Sequence, residues 1–142
     1  MTTDPVLTWD RIQIPDLMDS PISGPDDRSS VLAFGRSGKF SDYDDVLGIY
    51  YETDEDTALR VLNRIRQDAM IRFPVSDVYI IHRLGKIPLG EYVYAVIVSG
   101  RRTEDAFSAC KFAVEEINAE VPMWKYEIRR NRDSHYHLAQ GA

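Results

Sequence analysis

The feature that most constrains this chain is a pair of amphipathic stretches, each cut off by a proline and each followed within a few residues by a strand-like run. "TDEDTALRVLNRIRQDAMIRF", 53 to 73, opens with Thr and three acids, which suit the positive end of a helix dipole, and repeats apolar residues at Leu59, Leu62, Ile65, Ala69 and Phe73. That spacing predicts a helix with one core-facing stripe, and Pro74 stops it by disfavouring helical geometry in the residue before it. "TEDAFSACKFAVEEINAE", 103 to 120, repeats the arrangement: Thr103 is the N-cap candidate, Ala106, Cys110, Ala113 and Ile117 share one face, and Pro122 ends it.

Both helices need an apolar surface to lie on, and five short runs can supply it. "VLAF", 31 to 34, and "VLGIYYE", 46 to 52, flank a polar loop and are expected to pair as a long-looped hairpin. "SDVYIIHRLG", 76 to 85, and "YVYAVIV", 92 to 98, read as strands joined by a turn through Gly85 and "IPLGE", and "MWKYEIRR" returns as the last strand. The connections are too short for a series of parallel crossovers, so the expected fold is α+β, mostly antiparallel, with two main amphipathic helices. Residues 1–29, aperiodic and rich in Pro, Asp, Ser and Gly, read as an extended arm, 30–130 as the domain and 131–142 as a polar tail. An apolar edge around "YVYAVIV" would suit a dimer.

Charge and composition exclude several classes of partner. Lys and Arg number 17 against 23 Asp and Glu, a formal charge of −6, so a phosphate backbone would be repelled on average and nucleic acid is not an expected partner. "YVYAVIV" is far shorter than the roughly 20 residues that span a bilayer, and residues 1–20 lack the basic start and apolar centre of a secretion signal. A membrane is therefore not expected. With a single cysteine, Cys110, no internal disulfide can form, and a reducing, cytoplasmic setting fits.

Several residues carry potential chemistry. Cys110 sits in the amphipathic pattern and reads as a core thiol. His135 and His137 alternate in the polar tail without a third ligand at a recognisable spacing, so no metal is expected. His82 could serve as an acid or base at a strand end, but with no nucleophile or acid visible nearby it reads as a hydrogen-bonded structural histidine. The glycines of "FGRSGK" lack the ending of a phosphate loop. In "SGRRTEDAF", Arg101 and Arg102 stand between a buried strand and a helix N-terminus, where they either hold an anion or pair with Glu104 and Asp105. Lys125, directly after Trp124, is either an amine beside a pocket or a side chain lying over the tryptophan.

Taken in order, the Phe34 strand and its basic loop, "YYE", "FPVSDVYIIHRLGKIPLGE", "VSGRRTEDAFSACKFAVEEI" and "VPMWKYE" resemble the large, catalytic subunit of molybdopterin synthase, the MoaE family, over about residues 30 to 130. The resemblance implies a MoaE-like α/β-hammerhead fold and a homodimer. It also implies a small ubiquitin-like MoaD-type partner whose Gly-Gly tail, as a thiocarboxylate, gives sulfur to an anionic cyclic pyranopterin monophosphate, with no cofactor. Position by position, the family's loop arginine falls on Lys39, its His-Arg pair on Arg102 and Thr103, its first helix-end lysine on Asn118 and its second on Lys125. A one-residue insertion would instead set Arg101 and Arg102 against the His-Arg pair. The resemblance thus implies Lys125 as the catalytic residue, Lys39, Arg101 and Arg102 as anion-binding residues, and Asn118 and Thr103 as substituted positions. Two functions are expected from it: a sulfur-transferring synthase subunit of molybdenum cofactor biosynthesis, its activity impaired by these substitutions, or a non-catalytic homologue that serves as an interaction or regulatory subunit. A plain module for an anionic ligand would rest on the arginine turn alone.

Overall fold

A computed structural model of the chain describes residues 3–18, 24–130 and, for the backbone, 138–140. Its elements are β1 (Val6–Thr8), α1 (Ile14–Met18), β2 (Ser29–Arg36), β3 (Val46–Glu52), α2 (Glu55–Arg72), β4 (Asp77–Arg83), β5 (Gly85–Pro88), β6 (Tyr92–Gly100), α3 (Thr103–Glu120), β7 (Trp124–Arg129) and β8 (Leu138–Gln140). They form two four-stranded sheets, ordered β1-β4-β6-β2 and β5-β3-β7-β8. Every pairing is antiparallel except β1 on β4. This is the expected mostly antiparallel α+β architecture with two long helices.

The core lies between the sheets and under the helices. α2 buries Ala58, Leu62, Ile65 and Ala69, and α3 buries Ala106, Ala109, Cys110, Ala113 and Ile117. The small residues on α3 let its backbone come close to β6, β2 and α2, against which it packs. β6 is buried from Val93 to Gly100 because it has a strand on each side and a helix above.

Local pattern and global pairing disagree at several points. β2 and β3 do not form a hairpin: β2 pairs with β6 along its length, β3 pairs with β5 and β7, and the loop between them crosses from one sheet to the other. The run around "YVYAVIV" is the centre of its sheet, between β4 and β2, so it offers no edge for a dimer. The expected turn at 85–91 contains β5, too short and too rich in Gly and Pro to announce itself as a strand. Arg102 takes the N-cap position of α3, and Thr103 is its first helical residue. Leu59, expected in the core, is 37% exposed, because the buried stripe of α2 runs through Ala58 instead.

The segment read as an extended arm carries β1 and α1. Thr8 O accepts from Leu84 N–H at 2.8 Å, and Ile12 is buried. Trp9 lies over Gly85: a Cβ at Gly85 would stand 2.8 Å from the indole, and Gly85 has φ +87° at the bend from β4 to β5. Only glycine meets both demands. Gly85→Ala is therefore expected to cost about 1–3 kcal/mol in denaturant unfolding, with a shift in tryptophan emission as Trp9 is displaced. Gly90→Ala, at the same φ but with nothing within 4 Å of a Cβ, is the control and should cost only the backbone part, about 1 kcal/mol, without the emission shift.

Candidate functional site

Strand alternation decides where Lys125 points. Met123 and Glu127 are both buried, so the residues of β7 in phase with them face the core, while Trp124 and Tyr126 face the other way. Lys125 is on the core-facing side and half-buried, whereas Trp124 is on the opposite face of the strand. Its partner across the ladder is Tyr51 on β3, so the two side chains share a face.

Behind that face stands a group of buried polar rings. His82, on β4, is fully buried; its ring meets Tyr51 edge-on with centroids 6.3 Å apart and lies 6.1 Å from the ring of Tyr94 on β6. Tyr94 has the room it needs because the residue across the ladder is Gly35, where a Cβ would come within 2.4 Å of the phenol ring. The Nδ1 of His82 is 2.9 Å from the carbonyl of Arg83. A carbonyl only accepts, so Nδ1 carries the proton and Nε2 is the bare acceptor, buried without a partner in the structure. Burial, together with the nearby charge of Lys125 and against the pull of the Arg83 carbonyl, lowers the His82 pKa to about 4. Burial also lowers the pKa of the Lys125 amine and, with the neighbouring Tyr94, pushes the Tyr51 phenol up to about 12.

An ion pair and a clamp frame this group. Arg83 is buried and pairs with Glu91 at 2.8 Å. Glu127 is fully buried, and its Oε2 accepts the backbone N–H groups of Phe40 at 2.7 Å and Ser41 at 3.0 Å. That carboxylate holds the loop carrying Lys39 to the strand carrying Lys125, two residues away. The Lys39 amine itself is exposed and donates to Tyr43 O at 2.9 Å.

The other expected residues lie elsewhere. Asn118 is exposed in the last turns of α3, at the helix end that leads into the Lys125 strand. Arg101, Arg102 and Thr103 are exposed at the opposite end of α3, which is 18 residues long and so spans about 27 Å. There Arg28, Pro74, Arg101, Arg102 and Asp105 line an open cleft of about 330 Å³. Arg102 pairs with Glu104 and approaches Asp105 at 3.9 Å, while the Thr103 hydroxyl meets that of Ser29. One chain therefore brings Lys125 and the Lys39 loop together and leaves the arginine turn remote.

His82, Tyr51, Tyr94 and Glu127 form the surroundings of Lys125, and sequence reasoning gave none of them that place. The available signal was in "MWKYE": two residues after a lysine, on the same face of a strand, stands an acid where an apolar residue would be expected. Among the described residues no cluster of His, Cys, Asp and Glu suits a metal, and His135 and His137 lie outside them. Cys110 is buried, and burial, against a hydrogen bond with the Ala33 backbone, raises its thiol to about 11. No helix among the described residues is long and apolar enough to cross a membrane.

Residues 27–120 match the sequence model of the MoaE protein family. The chain belongs to the MoaE family. It is 39% identical over 80 residues to the molybdopterin synthase catalytic subunit of Pyrococcus abyssi, covering 56% of this chain and 54% of that protein. The chain spans about half the length, or less, of the first curated relatives it matches. Its fold is like that of the crystal structure of molybdopterin synthase from Staphylococcus aureus, with a TM-score of 0.83 over 98% of each chain at 21% identity. It is also like a chain from the complex of subunits 1 and 2 of molybdopterin-converting factor from Helicobacter pylori, with a TM-score of 0.76 at 15% identity, covering 96% and 88% of the two chains.

The site also predicts how stability depends on acidity. His82 is held neutral, with a folded pKa near 4 against 6.5 in the unfolded chain, so the folded state binds fewer protons between those values. Its contribution is fully present above pH 6.5 and is lost as the pH falls towards 4. Over that window the native protein is expected to lose roughly 3 kcal/mol more than His82→Leu, as measured by denaturant unfolding at each pH.

Proposed function

We propose that the chain acts as the large subunit of a molybdopterin synthase, taking the thiocarboxylate tail of a small ubiquitin-like subunit at Lys125 and passing its sulfur to a cyclic pyranopterin phosphate. The observation that carries this reading is the half-buried Lys125 amine with its lowered pKa, on the inner face of β7. As an ammonium it pairs with a terminal thiocarboxylate. Its enlarged neutral fraction makes it a better proton acceptor or nucleophile than a solvent-exposed lysine. The Helicobacter pylori complex of two subunits supports a partner of the small-subunit kind.

A homodimer is part of this proposal. A ligand that touches both Lys125 and the arginine turn must take them from two copies, because within one chain α3 separates them. Arg101 and Arg102 then hold the pterin phosphate by charge-assisted hydrogen bonds, with a reducing cytoplasm as the setting. The second reading, a non-catalytic interaction subunit, is favoured by Asn118, which is exposed and uncharged where the family pattern has an amine.

The test is to combine the full chain with a thiocarboxylated small subunit and the cyclic pterin, and to assay dithiolene formation. The synthase reading expects turnover that falls at least 100-fold in Lys125→Ala and rises about tenfold in Asn118→Lys, equivalent to about 1.4 kcal/mol of transition-state stabilisation. Tail binding without dithiolene in both the native chain and Asn118→Lys would establish the interaction subunit instead.

A further inference from the structure

The buried histidine is a titratable group at the site to which the reaction gives no work. Its geometry suggests one. His82 continues the inward-facing column of Val78 and Ile80 on β4, and its side chain enters the space between the sheets. Nδ1, the ring nitrogen nearer the backbone, is tied to the Arg83 carbonyl. Nε2 is the nitrogen remote from Cβ, so the bare acceptor lies on the side of the ring away from the β4 backbone. From β3 comes Tyr51, whose ring already packs on the imidazole, and directly opposite Tyr51 on β7 is Lys125.

A buried acceptor without a partner costs free energy, and such atoms in folded proteins call for an explanation. The titratable and charged groups around this one are few. Tyr94 from β6 and Tyr51 from β3 are packed rings. Arg83, on the histidine's own strand, is committed to Glu91. Lys125 from β7 is near enough for its charge to act on the imidazole, and it reaches by a flexible four-carbon stem. The register partner of His82 on β1 is Leu7, which offers no polar group.

We propose that His82 is a positioning residue for Lys125: its Nε2 accepts a hydrogen bond from the Lys125 ammonium and draws the amine to the inner end of the site. The role rests on the reading of Lys125 as the tail-binding residue, while the contact itself does not. It suits that chemistry because a neutral acceptor directs the ammonium without cancelling its charge, as a carboxylate would. The amine then keeps its charge for an incoming thiocarboxylate and comes from a fixed direction. Burial of the imidazole keeps the acceptor available at neutral pH, since a protonated Nε2 would repel the amine instead.

Nuclear magnetic resonance on the full chain, labelled at lysine and histidine, tests the contact without reference to activity. In Lys125→Met, which keeps the apolar stem, the His82 Nε2 resonance should move towards the value of a free acceptor. Conversely, His82→Leu should lower the Lys125 titration midpoint by about one pH unit, because the acceptor that favours the ammonium is gone, leaving about ten times more neutral amine at a given pH well below the midpoint. His82→Gln, whose amide oxygen can stand near the Nε2 position, should restore the midpoint, and Tyr51→Phe should leave it in place. An unmoved Nε2 resonance in Lys125→Met overturns the inference even if no His82 variant folds. So does an unchanged midpoint in folded His82→Leu, or a Tyr51→Phe shift as large as that of His82→Leu. In the dithiolene assay, His82→Leu should lower kcat at least tenfold, with rescue by His82→Gln. If the resonances behave as expected and no protein makes dithiolene, the contact stands and the synthase reading fails.

Discussion

The register of β3 on β7 is the constraint on which the rest of the site depends. Because Tyr51 lies opposite Lys125 and Ile49 opposite Glu127, the inner face of this sheet presents an amine and a carboxylate two residues apart against a largely apolar core. A slip of one residue would turn both outward and bring Trp124 and Tyr126 inward. The neighbouring features follow from that choice. The Glu127 carboxylate takes up two backbone donors and so fixes the loop that joins the two sheets. Burial of Lys125 lowers its affinity for a proton.

Much of the fold was legible in the sequence, and the divide between what was and what was not has a physical basis. Both long helices appear within a residue or two of their expected bounds, since a period of 3.6 with an acidic start and a proline stop is written locally. The five longer strands, β2, β3, β4, β6 and β7, were legible as strands. Their neighbours were not, because alternation says which face of a strand is buried and nothing about which strand lies beside it. Hence β2 and β3, adjacent in the chain, end in different sheets, and the most apolar run proves to be a sheet centre.

At the site the same limit operates residue by residue. Lys125 could be named from the family pattern, and alternation within "MWKYE" suffices to separate its face from that of Trp124. The packing of His82 on Tyr51, the cross-ladder partner of Lys125, joins segments far apart in the chain through a sheet packing that no local pattern encodes. The histidine could be recognised as buried and bonded, as it is, without revealing that only one of its two nitrogens is satisfied. Arg101 and Arg102 were rightly placed at a helix start, but only the length of α3 shows how far that start is from Lys125.

The position of Cys110 has a consequence for the proposed sulfur transfer. A thiol exchanges with activated sulfur through its thiolate, and a surface cysteine beside the site would compete for a thiocarboxylate as an acyl acceptor. The only cysteine of this chain is enclosed between α3 and the sheet, with a thiol that ionises near pH 11. It is chemically silent at neutral pH. In the proposed transfer, a thiocarboxylate held at Lys125 therefore has no reactive thiol of this chain to compete for it.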